Sequence, residues 1–238
     1  MTLLLLASLF AVSPAAPDAS NSPAAPAALV ARVAPAAPVA AAAPAAVTFD
    51  TADGGHIAAD QYGSGTDAVV LAHGARFNKE SWAVQAQALA AQGHMVLAID
   101  FRGYGTSTAG RDGKALFQDV LAAVRYARAH GARSVSVVGA SMGGGASGRA
   151  AVEARPGEID RLLLLSPVSI DDPGAMHAGR ILYIASRDEP MAPGIREQFA
   201  RAPQPKRLVM LDGDGHAQNI FPTPQGPELT TLLLDFLK

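Results

Sequence analysis

The residues best placed to do chemistry lie where the β-branched run Val135-Ser136-Val137-Val138 breaks at Gly139-Ala140-Ser141-Met142-Gly143. The small residues Gly144, Gly145, Ala146 and Ser147 then open a helical segment, so the pattern is strand, sharp turn, helix. A serine on such a turn must take strained backbone angles, and glycine on either side lets the neighbouring strands and helices come close enough to hold it there. The hydroxyl of Ser141 then projects clear of the sheet, where a histidine can remove its proton. The backbone N–H of Met142, at the helix N-terminus, points at the oxygen of an attacked carbonyl. A chain with 23 glycines can also produce this pentapeptide as a plain strand-to-helix connection. Its weight therefore depends on the elements around it.

Composition narrows the chemistry. The 238 residues are 49% hydrophobic and 17% charged, enough for one sizeable core with a tail rather than two full domains. Net charge is −2 and no run of Lys or Arg occurs, so the electrostatic footprint of a nucleic-acid partner is missing. With no cysteine, disulfides, thiolate metal ligands and a thiol nucleophile are excluded together. A nucleophile must be oxygen or nitrogen.

Leu3 to Val12 is an apolar block too short to span a bilayer, which takes about 20 residues, but of the length of an export-signal core; small residues follow at Ser13, Ala15 and Ala16. Residues 1–16 are therefore expected to be a signal peptide, with a periplasmic or secreted product and no integral membrane span. Residues 17–46 are almost wholly Ala and Pro, and the repeated prolines interrupt any helix that the alanines would favour, so this tract reads as a linker. Residues 47–238 form the expected domain. Two alternating runs around Asp53-Gly54-Gly55 predict a β-hairpin. Buried strands are predicted at Ala68–Ala72, Met95–Ile99, Val135–Val138, Ile159–Leu165, Arg180–Ala185 and Arg207–Leu211. Between and after them the spacing predicts helices over Lys79–Ala91, with Trp82, Val84, Ala88 and Leu89 as its core stripe, then Ala115–His130, the segment after Ser141, Gly194–Ala200 and Pro227–Leu237. Alternation of this kind predicts an α/β fold whose sheet is mainly parallel with helices on both faces, and such sheets place their sites beyond the strands' C-terminal ends.

Three of those strand ends carry motifs in sequence order: His73-Gly74-Ala75-Arg76, then Asp100-Phe101-Arg102-Gly103-Tyr104-Gly105-Thr106-Ser107, then Gly139-Ala140-Ser141-Met142-Gly143. This order resembles the α/β-hydrolase superfamily across residues 47–238, most of all its compact uncapped esterases and its dienelactone-hydrolase-like branch, which often has a cysteine where this chain has Ser141. The resemblance implies an acid and then a histidine downstream of the serine. Asp188 follows the strand ending at Ala185, and His216 follows the strand ending at Leu211. The implied triad is Ser141, Asp188 and His216: His216 takes the proton of Ser141 and returns it to the leaving group, while Asp188 fixes the imidazole tautomer. Glu189 is the rival acid, one residue further from the strand and restrained by Pro190. The resemblance also implies that Ala75 supplies a second oxyanion N–H beside Met142, and that His73 organises the loop beneath the site. Asp100 and Arg102 are expected to hold a loop together.

The function so implied is a serine hydrolase that cleaves a small-molecule carboxylic ester or thioester through an acyl-enzyme, with no cofactor and no metal. Asp212, Asp214 and His216 offer carboxylate and imidazole groups, but in a spacing matching no familiar metal site. Two other readings compete: a peptidase of the same superfamily, for which the chain has no room for a cap or propeller, and a catalytically silent fold used as a binding module. Ser169–Gly179 is too short and polar to form a helical cap, so a shallow, open site is expected.

Overall fold

The computed structural model describes residues 43–238. The expected signal peptide and nearly all of the expected linker lie outside the described residues. Strand β1 (Ala45–Asp50) opens two residues before Val47, so Ala45 and Ala46 belong to the sheet rather than to the linker. It forms an antiparallel hairpin with β2 (His56–Tyr62). The turn between them is closed by Thr51, whose N–H donates to the carbonyl of Gly55 and whose hydroxyl accepts from the N–H of Gly55 at 2.7 Å.

The remaining strands are β3 (Asp67–Ala72), β4 (Met95–Ile99), β5 (Ser134–Ala140), β6 (Arg161–Leu165), β7 (Arg180–Ser186) and β8 (Lys206–Leu211). They form one eight-stranded sheet in the order β1-β2-β4-β3-β5-β6-β7-β8, parallel from β4 onward. Side chains alternate across it. Val70, Leu97, Val137, Leu162 and Leu164 face one apolar layer, and Val69, Val96, Val138, Leu163 and Leu165 face the other. Helices α2 (Leu116–Ala129), α3 (Met142–Glu153) and α4 (Ala192–Arg201) cover the first face, while α1 (Ala83–Ala91) and α5 (Gly226–Leu237) cover the second. None of the described helices is long and apolar enough to cross a membrane.

One helix departs from its expected face. Lys79–Trp82 winds as a 3₁₀ turn before α1 begins, and the buried stripe is Trp82, Ala86 and Leu89. Val84, expected in the core, is 75% exposed. Two residues beyond Trp82 is over half a turn round a helix, so both side chains cannot face the sheet.

Register brings the site together. Ala72 pairs with Ile99 and with Gly139, Ala140 with Leu165, Leu165 with Ile184, and Ser186 with Leu211. The strands from β3 to β8 thus end along one edge of the sheet, and the segments after them, starting at His73, Asp100, Ser141, Ser166, Arg187 and Asp212, meet there.

Candidate active site

Ser141 sits between β5 and α3 with φ 51° and ψ −112°, angles that an L-residue adopts only under constraint. Its N–H donates to the carbonyl of Leu165 at 2.9 Å, and its carbonyl accepts from the N–H groups of Gly145 and Val168. The flanking glycines are required sterically. A Cβ at Gly139 would lie 2.3 Å from the carbonyl oxygen of Gly143, and one at Gly143 would lie 2.4 Å from that of Ala72. The second helix residue therefore packs directly on the end of β3, which fixes Ser141 beside the His73–Arg76 loop.

His216 lies beyond β8 and is one-third exposed at its side chain. Its Nε2 is 2.8 Å from the Ser141 hydroxyl, and its Nδ1 is 2.5 Å from Oε2 of Glu189. A carboxylate can only accept, so Nδ1 carries the hydrogen and the lone pair on Nε2 accepts from Ser141. Both ring nitrogens are thereby engaged by protein partners. Asp212 pairs with Arg187 instead, at 3.2 Å. Among the described residues no group of three or more His, Asp or Glu side chains converges as a metal site.

The acid departs from the expected one: the carboxylate facing His216 is that of Glu189, whose side chain is fully buried, whereas Asp188 is exposed. The turn after β7 decides this. The N–H of Asp188 donates to the carbonyl of Gly213, and that of Ala192 to the carbonyl of Glu189, which leaves Asp188 facing water and folds Glu189 inward. Oε1 of Glu189 accepts from the N–H of Ser186 at 2.9 Å and from the hydroxyl of Ser166 at 2.6 Å. Pro190 does not hinder this, because its ring restrains the backbone of Glu189 and leaves the side chain free to turn inward.

Ser166, not anticipated from the sequence, joins three segments. Its hydroxyl donates to Glu189 and accepts from the N–H of Ala217 at 3.1 Å, tying the acid to the residue after His216. Among the described residues the non-glycines with positive φ are Ser141, Ser166 and Ala217, at 51°, 42° and 52°. Backbone strain is thus concentrated in this one network, each strained residue costing about 1–3 kcal/mol that the surrounding bonds must offset.

The loop after β3 is held from two sides. The N–H of Gly74 donates to Oε1 of Gln218 at 2.8 Å, and Nε2 of Gln218 donates to the hydroxyl of Ser81. The Tyr104 hydroxyl donates to the carbonyl of Ala75 at 2.9 Å and lies 3.7 Å from the sulfur of Met142. His73 is fully buried: Nδ1 donates to the carbonyl of Gly74, and Nε2 accepts from the N–H of Phe101. Burial lowers the pKa of His73, with the Gly74 bond opposing, so the ring is neutral and serves as a wedge between Phe101 and Tyr104. Among the described residues the N–H groups of Ala75 and Met142 donate to no protein acceptor. Met142 is the first residue of α3, where no intrahelical partner exists. Asp100 accepts from the N–H of Lys79, and Arg102 is bound on two sides by Asp53 and Asp119.

Ser141 and His216 open into a hollow of about 380 Å³ that is also lined by Ala75, Arg76, Phe77 and Asn219. The segment from Ser169 to Gly179 contributes only a short 3₁₀ turn at Pro173–Ala175 and no cap. Signals for Ser166, Tyr104 and Gln218 are weak in the sequence, since each acts through a single polar atom aimed across the fold.

Known proteins share this arrangement of chain. The esterase Pf2001 of Pyrococcus furiosus superposes with a TM-score of 0.67 at 20% identity, over 82% of this chain and 89% of that one. The esterase EaEST of Exiguobacterium antarcticum gives 0.64 at 16% identity, over 81% and 99%. In sequence, 124 residues are 32% identical to the dihydrolipoyllysine-residue acetyltransferase component of the acetoin cleaving system of Cupriavidus necator, spanning 52% of this chain but only 33% of that protein. Residues 67–204 match the family described by the alpha/beta hydrolase fold, more than half of the chain. With the strand order and the strand-end motifs in agreement, the chain belongs to the α/β-hydrolase fold family.

Proposed function

We propose that this protein is a serine hydrolase that cleaves a carboxylic ester or thioester with a compact acyl group. The observation that carries the reading is the continuous hydrogen-bonded chain from the Ser141 hydroxyl through both nitrogens of His216 to the buried Glu189. In the forward step Ser141 attacks the carbonyl carbon as His216 Nε2 takes its proton, and Glu189 stabilises the imidazolium that forms. The oxyanion is met by the N–H groups of Met142 and Ala75, which among the described residues donate to no protein acceptor. His216 then returns the proton to the leaving oxygen or sulfur. The acyl-enzyme is opened by water, activated by the same imidazole.

The open hollow supports a compact acyl group. A buried methylene is worth at most about 0.8 kcal/mol, and without a cap few methylenes are buried. The name esterase carried by two proteins of like fold agrees with this reading, although at 20% and 16% identity it is not what supports it. The test is covalent labelling with a fluorophosphonate probe together with turnover of p-nitrophenyl esters from acetate to palmitate. Labelling lost in Ser141→Ala, with kcat/KM flat beyond the first few carbons, is expected; an unlabelled wild-type protein favours the silent binding module instead.

A further inference from the structure

The His73-Gly74-Ala75-Arg76 motif contains one residue that the proposed chemistry leaves unused. Arg76 is exposed and lines the same hollow as Ser141 and His216. Among the described residues it has no carboxylate within 4.0 Å and donates no side-chain hydrogen bond, whereas Arg102, Arg125, Arg128, Arg149 and Arg187 each hold a carboxylate. No acidic side chain lines the hollow. Glu189, the nearest acid in the network, is buried behind His216 with its oxygens already engaged by Ser166, Ser186 and His216. Arg76 therefore brings a cation to the hollow that no carboxylate among the described residues neutralises. A guanidinium also offers a planar fork of donors that matches a carboxylate.

We propose that Arg76 selects substrates that carry an anionic group, a carboxylate, close to the scissile ester. The inference rests on the hydrolase reading above and adds the charge of the substrate to it. Arg76 is one residue from Ala75, the proposed oxyanion donor, so a substrate held at Ser141 places its near substituents within the field of the guanidinium. Because the hollow is open to solvent, the attraction is screened by salt, and selectivity should fall as ionic strength rises.

The experiment compares kcat/KM for matched pairs of esters on the full chain. Mono-p-nitrophenyl adipate and p-nitrophenyl hexanoate differ by charge on the acyl side; 4-acetoxybenzoate and phenyl acetate differ by charge on the leaving side. The wild type should prefer the anionic member of at least one pair. In Arg76→Gln that preference should fall about tenfold or more, the scale of a charge-assisted hydrogen bond, with part of it retained in Arg76→Lys. Arg207→Gln, which removes an exposed cation on β8 that has no carboxylate partner among the described residues, should keep the preference. If neutral esters are turned over but Arg76→Gln leaves both ratios where they were, Arg76 is a solvated surface cation and the proposal is overturned. If no ester is turned over and Ser141 does not label, the hydrolase reading has failed and takes the proposal with it.

Discussion

Glu189 and Asp188 are adjacent in sequence and opposite in environment: the first meets His216 at 2.5 Å from a fully buried side chain, and the second lies in water. An amide in place of the acid can hold the imidazole only in the wrong tautomer, so Glu189→Gln should lower kcat by on the order of 10⁴ while the protein stays folded. Asp188→Asn should leave kcat close to wild type. Steady-state kinetics on the two purified variants decides the matter, and a large loss confined to Asp188→Asn would return the acid to the position first expected.

The contrast marks what a sequence can and cannot say about such a site. Ser141 and His216 were legible because each sits at the end of a strand recognisable from its apolar run, and the serine's neighbours are glycines for a steric reason. The acid expected from the sequence, Asp188, is not the carboxylate that meets His216, because the choice between it and Glu189 depends on how the turn after β7 folds, through bonds from Asp188 to Gly213 and from Ala192 to Glu189. Val84 was misplaced for a related reason, since a 3₁₀ turn at Lys79–Trp82 resets which face of α1 is buried. Ser166, Tyr104 and Gln218 had no periodic signal at all. Their partners are 23, 29 and 144 residues away, and single polar contacts of that kind leave no local pattern.

Gln218 links the His216 segment to the Gly74–Ala75 loop, and its removal tests whether that link matters. Gln218→Leu leaves the N–H of Gly74 buried without a partner, at a cost of about 1–3 kcal/mol in stability. The Gly74–Ala75 segment should then lose its fixed position. A displacement of about 1 Å at a reacting centre can cost a factor on the order of 10². The expectation is a fall in kcat larger than any rise in KM, with Gln218→Glu, which keeps the acceptor for Gly74, recovering part of it. Unchanged kcat at unchanged stability would show that the loop holds its shape without Gln218.

His73 should make stability depend on pH. Burial depresses its pKa, with the bond to Gly74 opposing, so in mildly acidic solution the unfolded chain takes up a proton that the folded chain refuses. Stability rises with pH wherever the unfolded state binds more protons; this contribution is therefore present above the unfolded value of about 6.5 and is lost as pH falls below it, at no more than about 1.4 kcal/mol per pH unit. His73→Gln removes the titrating group. The stability difference between wild type and variant, from urea unfolding, should hold level from pH 7.5 to about 6.5 and shrink from there to pH 5. A constant difference across that range would mean that His73 takes its proton as readily folded as unfolded.

The strongest structural dependence should lie at Arg102, whose guanidinium is fully buried. Its Nε and Nη2 donate to Oδ1 of Asp119, its Nη1 and Nη2 donate to Asp53, and Nη1 also donates to the carbonyl of Asp112. All five donors are therefore used. The backbone N–H of Arg102 completes the cluster by donating to Oδ2 of Asp119 at 2.9 Å. These bonds join the hairpin turn, the loop after β4 and helix α2, and the loop after β4 carries Tyr104 to Ala75. Asp119→Ala removes the carboxylate that receives three bonds from Arg102, one more than Asp53 does, and leaves a buried cation partly unpaired, which costs about 3–5 kcal/mol. Taking both charges away is a different matter. In an Arg102→Met background the carboxylate of Asp119 has lost its partner, so truncating it should cost much less than in the wild type. Urea midpoints for the wild type, the two single variants and the double variant give the coupling directly. A double variant as unstable as the sum of the singles would mean that the cluster's bonds act independently, and that the turn, the loop and the helix are held in place by their apolar contacts instead.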